Sequence, residues 1–99
     1  MSNPSTPHPA PPRDALLLTP ADDVATALRP LHPGQQASVQ GLQGTLLIRQ
    51  GIPFCHKVAC RDIAAGVWVR KYGEVIGVAT KAILAGDHVH VHNIRSVRT

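Results

Sequence analysis

A stretch of nine residues, Val58-Ala59-Cys60-Arg61-Asp62-Ile63-Ala64-Ala65-Gly66, returns twenty positions later as Val78-Ala79-Thr80-Lys81-Ala82-Ile83-Leu84-Ala85-Gly86. Each copy closes on an Ala-Gly pair and runs into an alternating segment, Val67-Trp68-Val69-Arg70 or Asp87-His88-Val89-His90-Val91-His92. Alternation of apolar and polar residues with period two is the mark of a half-buried strand. Two copies are too few for a solenoid, whose units stack in series. The repeat therefore predicts two strand–turn–strand units packed pseudo-symmetrically in one mainly β domain.

Ala15-Leu16-Leu17-Leu18 and Thr45-Leu46-Leu47-Ile48 predict short buried strands. One short helix is expected between them. Thr19 suits its N-cap, Pro20 its first turn, and Asp22 and Asp23 its positive N-terminal end. Val24, Ala27, Leu28 and Leu31 form its apolar stripe, and Pro30, Pro33 and Gly34 stop it. Residues 1–13 carry Pro4, Pro7, Pro9, Pro11 and Pro12, which predicts a disordered tail and leaves a domain over 14–99. Only 3% of the 99 residues are aromatic. The core is thus built from Val, Ile, Leu and Ala, and it is too small to enclose a substrate pocket alone. A catalytic role then implies a site shared across an interface.

The net charge of +4 is concentrated in the second half of the chain. Up to residue 53, Arg13, Arg29 and Arg49 balance Asp14, Asp22 and Asp23. Beyond it, basic residues such as Lys57, Lys71 and Lys81 outnumber Asp62, Glu74 and Asp87. That half attracts anions. It has no dense basic cluster and no interleaved aromatics, which argues against nucleic acid and for a small carboxylate or an acidic partner surface. Cys55 and Cys60 lie at an odd separation, on opposite faces of an extended segment, so a local disulfide is not expected. No signal-peptide pattern and no long apolar run is present, so the expectation is a cytoplasmic protein with reduced thiols and no membrane contact.

His88, His90 and His92 stand at i, i+2 and i+4. On a regular strand all three imidazoles share one face, with Val89 and Val91 on the other. Neighbouring imidazoles then start roughly 7 Å apart, close enough for two to converge on one metal ion, whereas the outer pair starts roughly 13 Å apart, so a His-x-His pair completed by ligands from another chain is favoured over all three on one ion. Lys57 and Lys71 are candidates to bind a carboxylate or, when desolvated, to act as a base, and His56 stands beside Lys57. Tyr72 is a candidate hydrogen-bonding partner for a hydroxyl. Asn93 is either a substrate contact or a turn residue.

Several of these residues carry a resemblance. His56-Lys57-Val58-Ala59, the Asp62–Gly66 turn, Arg70-Lys71-Tyr72-Gly73-Glu74-Val75-Ile76-Gly77-Val78-Ala79-Thr80 and His88-Val89-His90-Val91-His92-Asn93 resemble the N-terminal SAF domain of altronate and galactarate dehydratases. They are also similar to the alpha subunit of sulfolactate sulfo-lyase. The resemblance implies a small SAF-type β-clip fold and a lyase that removes water, or sulfite, from the carbon β to a carboxylate. It further implies that this chain acts as a small subunit beside a large dehydratase subunit, on a small hydroxy-carboxylate substrate. In that setting His56, Lys57 and Lys71 are expected to be catalytic and Tyr72 and Asn93 to bind substrate. His88, His90 and His92 are expected to hold a divalent metal such as Fe, Mn or Zn. The chain departs from the family pattern at Cys55, where glycine is usual, at Cys60, where an aliphatic residue is usual, and at Trp68, where proline is common. A non-catalytic SAF module that binds carbohydrate or scaffolds a partner is the alternative from outside enzymology.

β-Elimination needs a base for the proton α to the carboxylate, positive charge for the enediolate, and an acid for the leaving hydroxyl. This chain offers histidines and lysines for those tasks but no cluster of carboxylates, and Glu74 stands among basic residues. The missing groups have to come from elsewhere.

Overall fold

The computed structural model describes residues 13–97, and every regular element in them is a strand. The nine strands are β1 (Ala15–Leu16), β2 (Val24–Ala27), β3 (Gln36–Gln40), β4 (Thr45–Leu47), β5 (Lys57–Ala59), β6 (Trp68–Lys71), β7 (Glu74–Ala79), β8 (His88–Val89) and β9 (Ile94–Ser96). Six form a sheet in the order β4-β3-β1-β2-β5-β8, and three form a second sheet, β6-β7-β9. All pairs are antiparallel except β1 with β3. The large sheet curls: the Arg49 amide, just past β4, donates to the Gly86 carbonyl just before β8 at 2.9 Å. A Cβ at Gly86 would run into the Leu47 carbonyl oxygen, so only glycine permits that approach.

The expected helix over residues 19–31 does not form. The same residues build a turn and then β2. Thr19 Oγ1 donates to Asp22 Oδ1 at 2.7 Å and the Asp22 amide donates to the Thr19 carbonyl at 3.1 Å. Threonine and aspartate that can cap a helix can equally close a turn on themselves. Val24, Ala25 and Ala27 are all buried, because β2 pairs with β1 on one side and β5 on the other. A strand covered on both faces has no polar alternation to announce it, and two ladders outweigh weak helical propensity. The tail expected over residues 1–13 lies outside the described residues except for Arg13, which donates to Ser38 Oγ at 3.0 Å.

The repeat is present, and it has four members. Leu31, Ile52, Ile63 and Ile83 each begin a turn whose fourth residue has positive φ: Gly34 (87°), Cys55 (70°), Gly66 (83°) and Gly86 (91°). In each turn the next amide donates back three residues: Gln35 to His32, His56 to Pro53, Val67 to Ala64 and Asp87 to Leu84. The turns pair two by two. Leu31 and Ile52 exchange reciprocal backbone hydrogen bonds at 2.9 Å, and Ile63 and Ile83 do so at 2.8 Å. The β5–β8 register, Lys57 opposite Val89 and Val58 opposite His88, is matched by Gly77 opposite Val69 and Val78 opposite Trp68, each residue paired with the repeat-equivalent of its partner, twenty positions forward for β5 and twenty back for β8.

Strands β2 and β5 divide the core. Ala25 and Val58 join one cluster with Leu31, Ile48 and Ile52, while Val24 and Ala59 join another with Ile63, Ile83 and Val89. Because β5 and β8 carry core residues, the histidines attached to them are fixed to the most buried part of the fold.

Candidate active site

His56 leads into β5 and His88 opens β8. The Val58–His88 register places His88 on the Val58 face of the sheet, and His56, two residues before Val58, shares that parity. His56 Nδ1 lies 2.9 Å from His88 Nε2. The ring of His90 stacks on His56 with centroids 4.7 Å apart and lies nearly parallel to His88 at 5.3 Å. All three residues are half-buried, and one ring nitrogen from each lies within 4.8 Å of the other two. His92 touches the group from outside, its ring tilted 5.4 Å from that of His88.

His56 is free to join because of the proline before it. Gln35 and Asp87 occupy the same turn position, and each accepts the amide three residues earlier, from His32 at 3.0 Å and Leu84 at 2.8 Å. Pro53 has no amide to offer. The His56 side chain is left without that local partner and turns to His88.

The predicted regular strand from His88 to His92 ends at Val89. Val89 is buried as expected, but Val91 is 81% exposed rather than packed on the opposite face. Asn93 is the cause. Its side chain accepts the His90 amide at 2.9 Å and donates to the His88 carbonyl at 2.8 Å, folding residues 90–93 into a turn. Asn93 is only 5% exposed, so of the two roles open to it in the sequence, the turn is the one the structure displays. It sets the spacing of His88 and His90.

Lys57 lies opposite Thr26 and Val89, on the other parity from His56. Burial, then the like charge of Lys71, lowers its pKa. Lys71 and Tyr72 lie at the tip of the β6–β7 hairpin, where Tyr72 (φ 56°) and Gly73 (φ 75°) both adopt positive φ, as a two-residue hairpin turn requires. The Lys71 ammonium lies 4.3 Å from the Tyr72 ring centroid. Lys71, then Thr26, lowers the phenol's pKa, with burial opposing and Lys57 assisting. His88 is lowered by burial first and then by His56, His90, His92 and Lys57. Lys57 thus feels the hairpin tip on one side and acts on the histidines on the other.

Asp22, whose sequence setting suits a helix end, is instead the anchor of the hairpin tip. Fully buried, it accepts the Tyr72 amide at 2.9 Å and the Gly73 amide at 2.8 Å besides its bonds to Thr19. Burial raises its pKa, but these hydrogen bonds outweigh burial and the net shift is downward. Asp23 extends the grip, accepting the Arg70 amide at 2.8 Å. No local pattern could reveal this pairing, since it joins residues about fifty apart. Cys55 and Cys60 are both free thiols.

The described residues enclose no pocket, and none of them forms a helix long and apolar enough to cross a membrane. A family model described as the altronate/galactarate dehydratase SAF domain matches residues 13–97. The altronate dehydratase of Escherichia coli (strain K12) is 47% identical over 75 residues, 76% of this chain and 15% of that protein. The altronate dehydratase of Bacillus subtilis (strain 168) is 33% identical over the same length, again 15% of that protein. The (2R)-sulfolactate sulfo-lyase subunit alpha of Chromohalobacter salexigens is 43% identical over 51 residues, 52% of this chain and 54% of that subunit. The chain therefore spans a small part of the dehydratases it matches and about half of the sulfo-lyase subunit.

Proposed function

The chain belongs to the altronate/galactarate dehydratase SAF-domain family, and from that premise we propose that it is the small subunit of a cytoplasmic sugar-acid hydro-lyase. It contributes one wall of an interfacial site to a larger dehydratase subunit. The observation that carries this reading is the gathering of His56, His88 and His90 beside Lys57 on a surface that encloses no pocket. A set of proton-transfer groups with no enclosure of its own is half a site.

Within that site Lys71 holds the substrate carboxylate, and Tyr72 hydrogen-bonds a hydroxyl. The histidines hold a divalent cation, and Lys57, whose pKa burial and then Lys71 lower, takes the proton from the carbon α to the carboxylate. A bound divalent cation supplies positive charge for the enediolate. A second reading, the alpha subunit of a sulfolactate sulfo-lyase, is favoured by two relatives that bear this name, at 43% and 42% identity. It needs the same groups, with sulfite leaving in place of water.

Purifying the chain alone and with the large subunit, then assaying aldonates, aldarates and sulfolactate, tests the reading. Turnover is expected only in the complex. His90→Ala should lower it by about 10²-fold or more, with the fold retained. Val89→Ala, one residue away in the core, should instead cost about 1–2 kcal/mol of stability. A complex that turns over equally well without His90 would leave a non-catalytic SAF module as the better description.

A further inference from the structure

We propose that His56, His88 and His90 form a complete three-nitrogen site for a borderline divalent ion of the zinc type, so that this chain binds the metal without a partner. The inference deepens the lyase reading by naming the ligands that hold the cation, and it replaces the strand-only trio of His88, His90 and His92.

The geometry comes from three independent devices. The β5–β8 register sets His56 and His88 side by side, with facing nitrogens 2.9 Å apart. Asn93 closes the turn that brings His90 over both rings. Pro53 removes the amide that would hold the His56 side chain elsewhere. Nitrogen ligands around a tetrahedral zinc ion, at bonds of about 2 Å, lie roughly 3.3 Å from one another. The three nitrogens here lie within 4.8 Å of one another, so small ring rotations bring them onto one ion. The short His56–His88 hydrogen bond opens slightly as the donor ring takes its other tautomer, so that both facing nitrogens offer lone pairs to the ion.

His92 is left out for a structural reason. It lies within the turn rather than on the strand, and its ring reaches His88 alone of the three. No carboxylate joins the group among the described residues. An all-imidazole set suits zinc, cobalt or nickel better than magnesium or calcium, which prefer oxygen ligands. Three protein ligands on one side leave a fourth position open, as in zinc sites that act on a bound molecule. The three histidines are only half-buried, which leaves room for a substrate oxygen or a partner ligand to complete the set.

Titration of the full-length chain alone with Zn²⁺ by calorimetry, and with Co²⁺ by visible absorption, decides the matter. One equivalent should bind, and cobalt should give the intense bands of a four-coordinate site. His56→Ala and His90→Ala should each weaken binding by at least about 100-fold, beyond what a change outside the ligand set produces. His92→Ala should weaken it by less than about tenfold. Circular dichroism and melting of each variant separate a lost ligand from a lost fold, and His56→Gln gives a second replacement if alanine destabilises the turn. Absence of stoichiometric binding by the folded chain overturns the proposal. So does binding that survives loss of His56 but not of His92. Turnover by the assembled enzyme with no metal bound at these histidines would sink this inference and leave the lyase reading standing. Metal binding without turnover on any hydroxy or sulfo acid would do the reverse.

Discussion

Cys55 sits at φ 70° in a turn whose three counterparts all use glycine. A side chain in the left-handed region is strained, because Cβ crowds the neighbouring carbonyl. The turn is held by its backbone, with the Cys55 amide donating to the Ala27 carbonyl at 2.8 Å, while the thiol is exposed and outside any disulfide, so the side chain adds nothing that offsets the strain. Cys55→Gly should therefore raise stability by about 0.5–1 kcal/mol, read as a shift in the midpoint of urea unfolding. The loss of chain entropy in the more flexible glycine mutant trims the gain but does not reverse its sign. Metal binding by the adjacent His56 should be unchanged, because the turn keeps its path. A drop in stability would mean that the thiol packs against something in solution that the fold does not show.

Among the elements, the β6–β7 hairpin depends most on one distant side chain. Asp22 accepts both amides at its tip, and hydrogen bonds to a charged acceptor are worth about 1.5–3 kcal/mol each. Asp22→Ala should cost roughly 3 kcal/mol or more, and it should loosen Lys71 and Tyr72 specifically, visible as faster amide exchange at residues 72 and 73. The pH dependence has a definite sign. The folded-state pKa of Asp22 lies below its ordinary value, so its contribution is present in full above the ordinary aspartate pKa. It is lost as the pH falls toward the folded-state pKa. Acid unfolding followed from pH 6 to pH 2 should show a steeper loss of stability in the native chain than in Asp22→Asn. The elements also show what was legible in the sequence. Two of the four turns announced themselves, because both end in Ala-Gly and carry the same flanking residues. The other two, His32-Pro33-Gly34 and Pro53-Phe54-Cys55, share the backbone path but almost no side chains. Thr19-Pro20 and Asp22-Asp23 suit a helix start or a closed turn equally well, and only the ladders to β1 and β5 decide between them. The histidines were found by spacing, but the partner of His88 was not the expected His92. Convergence of His56 depends on the β5–β8 register, which no local pattern carries.

The exposed apolar side chains are not all distant from the candidate site in the chain. Phe54 (58% exposed) lies two residues before His56, Tyr72 follows Lys71, and Val91 (81% exposed) stands between His90 and His92. Large apolar residues exposed singly are ordinary, but these flank each of the groups proposed to act on substrate. A surface that must close against a second protein keeps its apolar residues beside its polar ones, because burying the rim excludes water from the chemistry at the centre. The basic second half of the chain adds attraction for an acidic partner face. Phe54→Asp and Val91→Asp should therefore weaken association with the large subunit by about tenfold or more each. Neither should move the melting temperature by more than a few degrees, since both side chains already face water. Leu18→Asp provides the control: it is 51% exposed with no site residue beside it in the chain, and association should be unaffected. Zinc binding by the isolated variants should also be intact, which separates damage to the interface from damage to the histidines. Association unchanged in Phe54→Asp and Val91→Asp, measured by sedimentation with the purified large subunit, would place the interface on another face and remove the shared site from this side of the molecule.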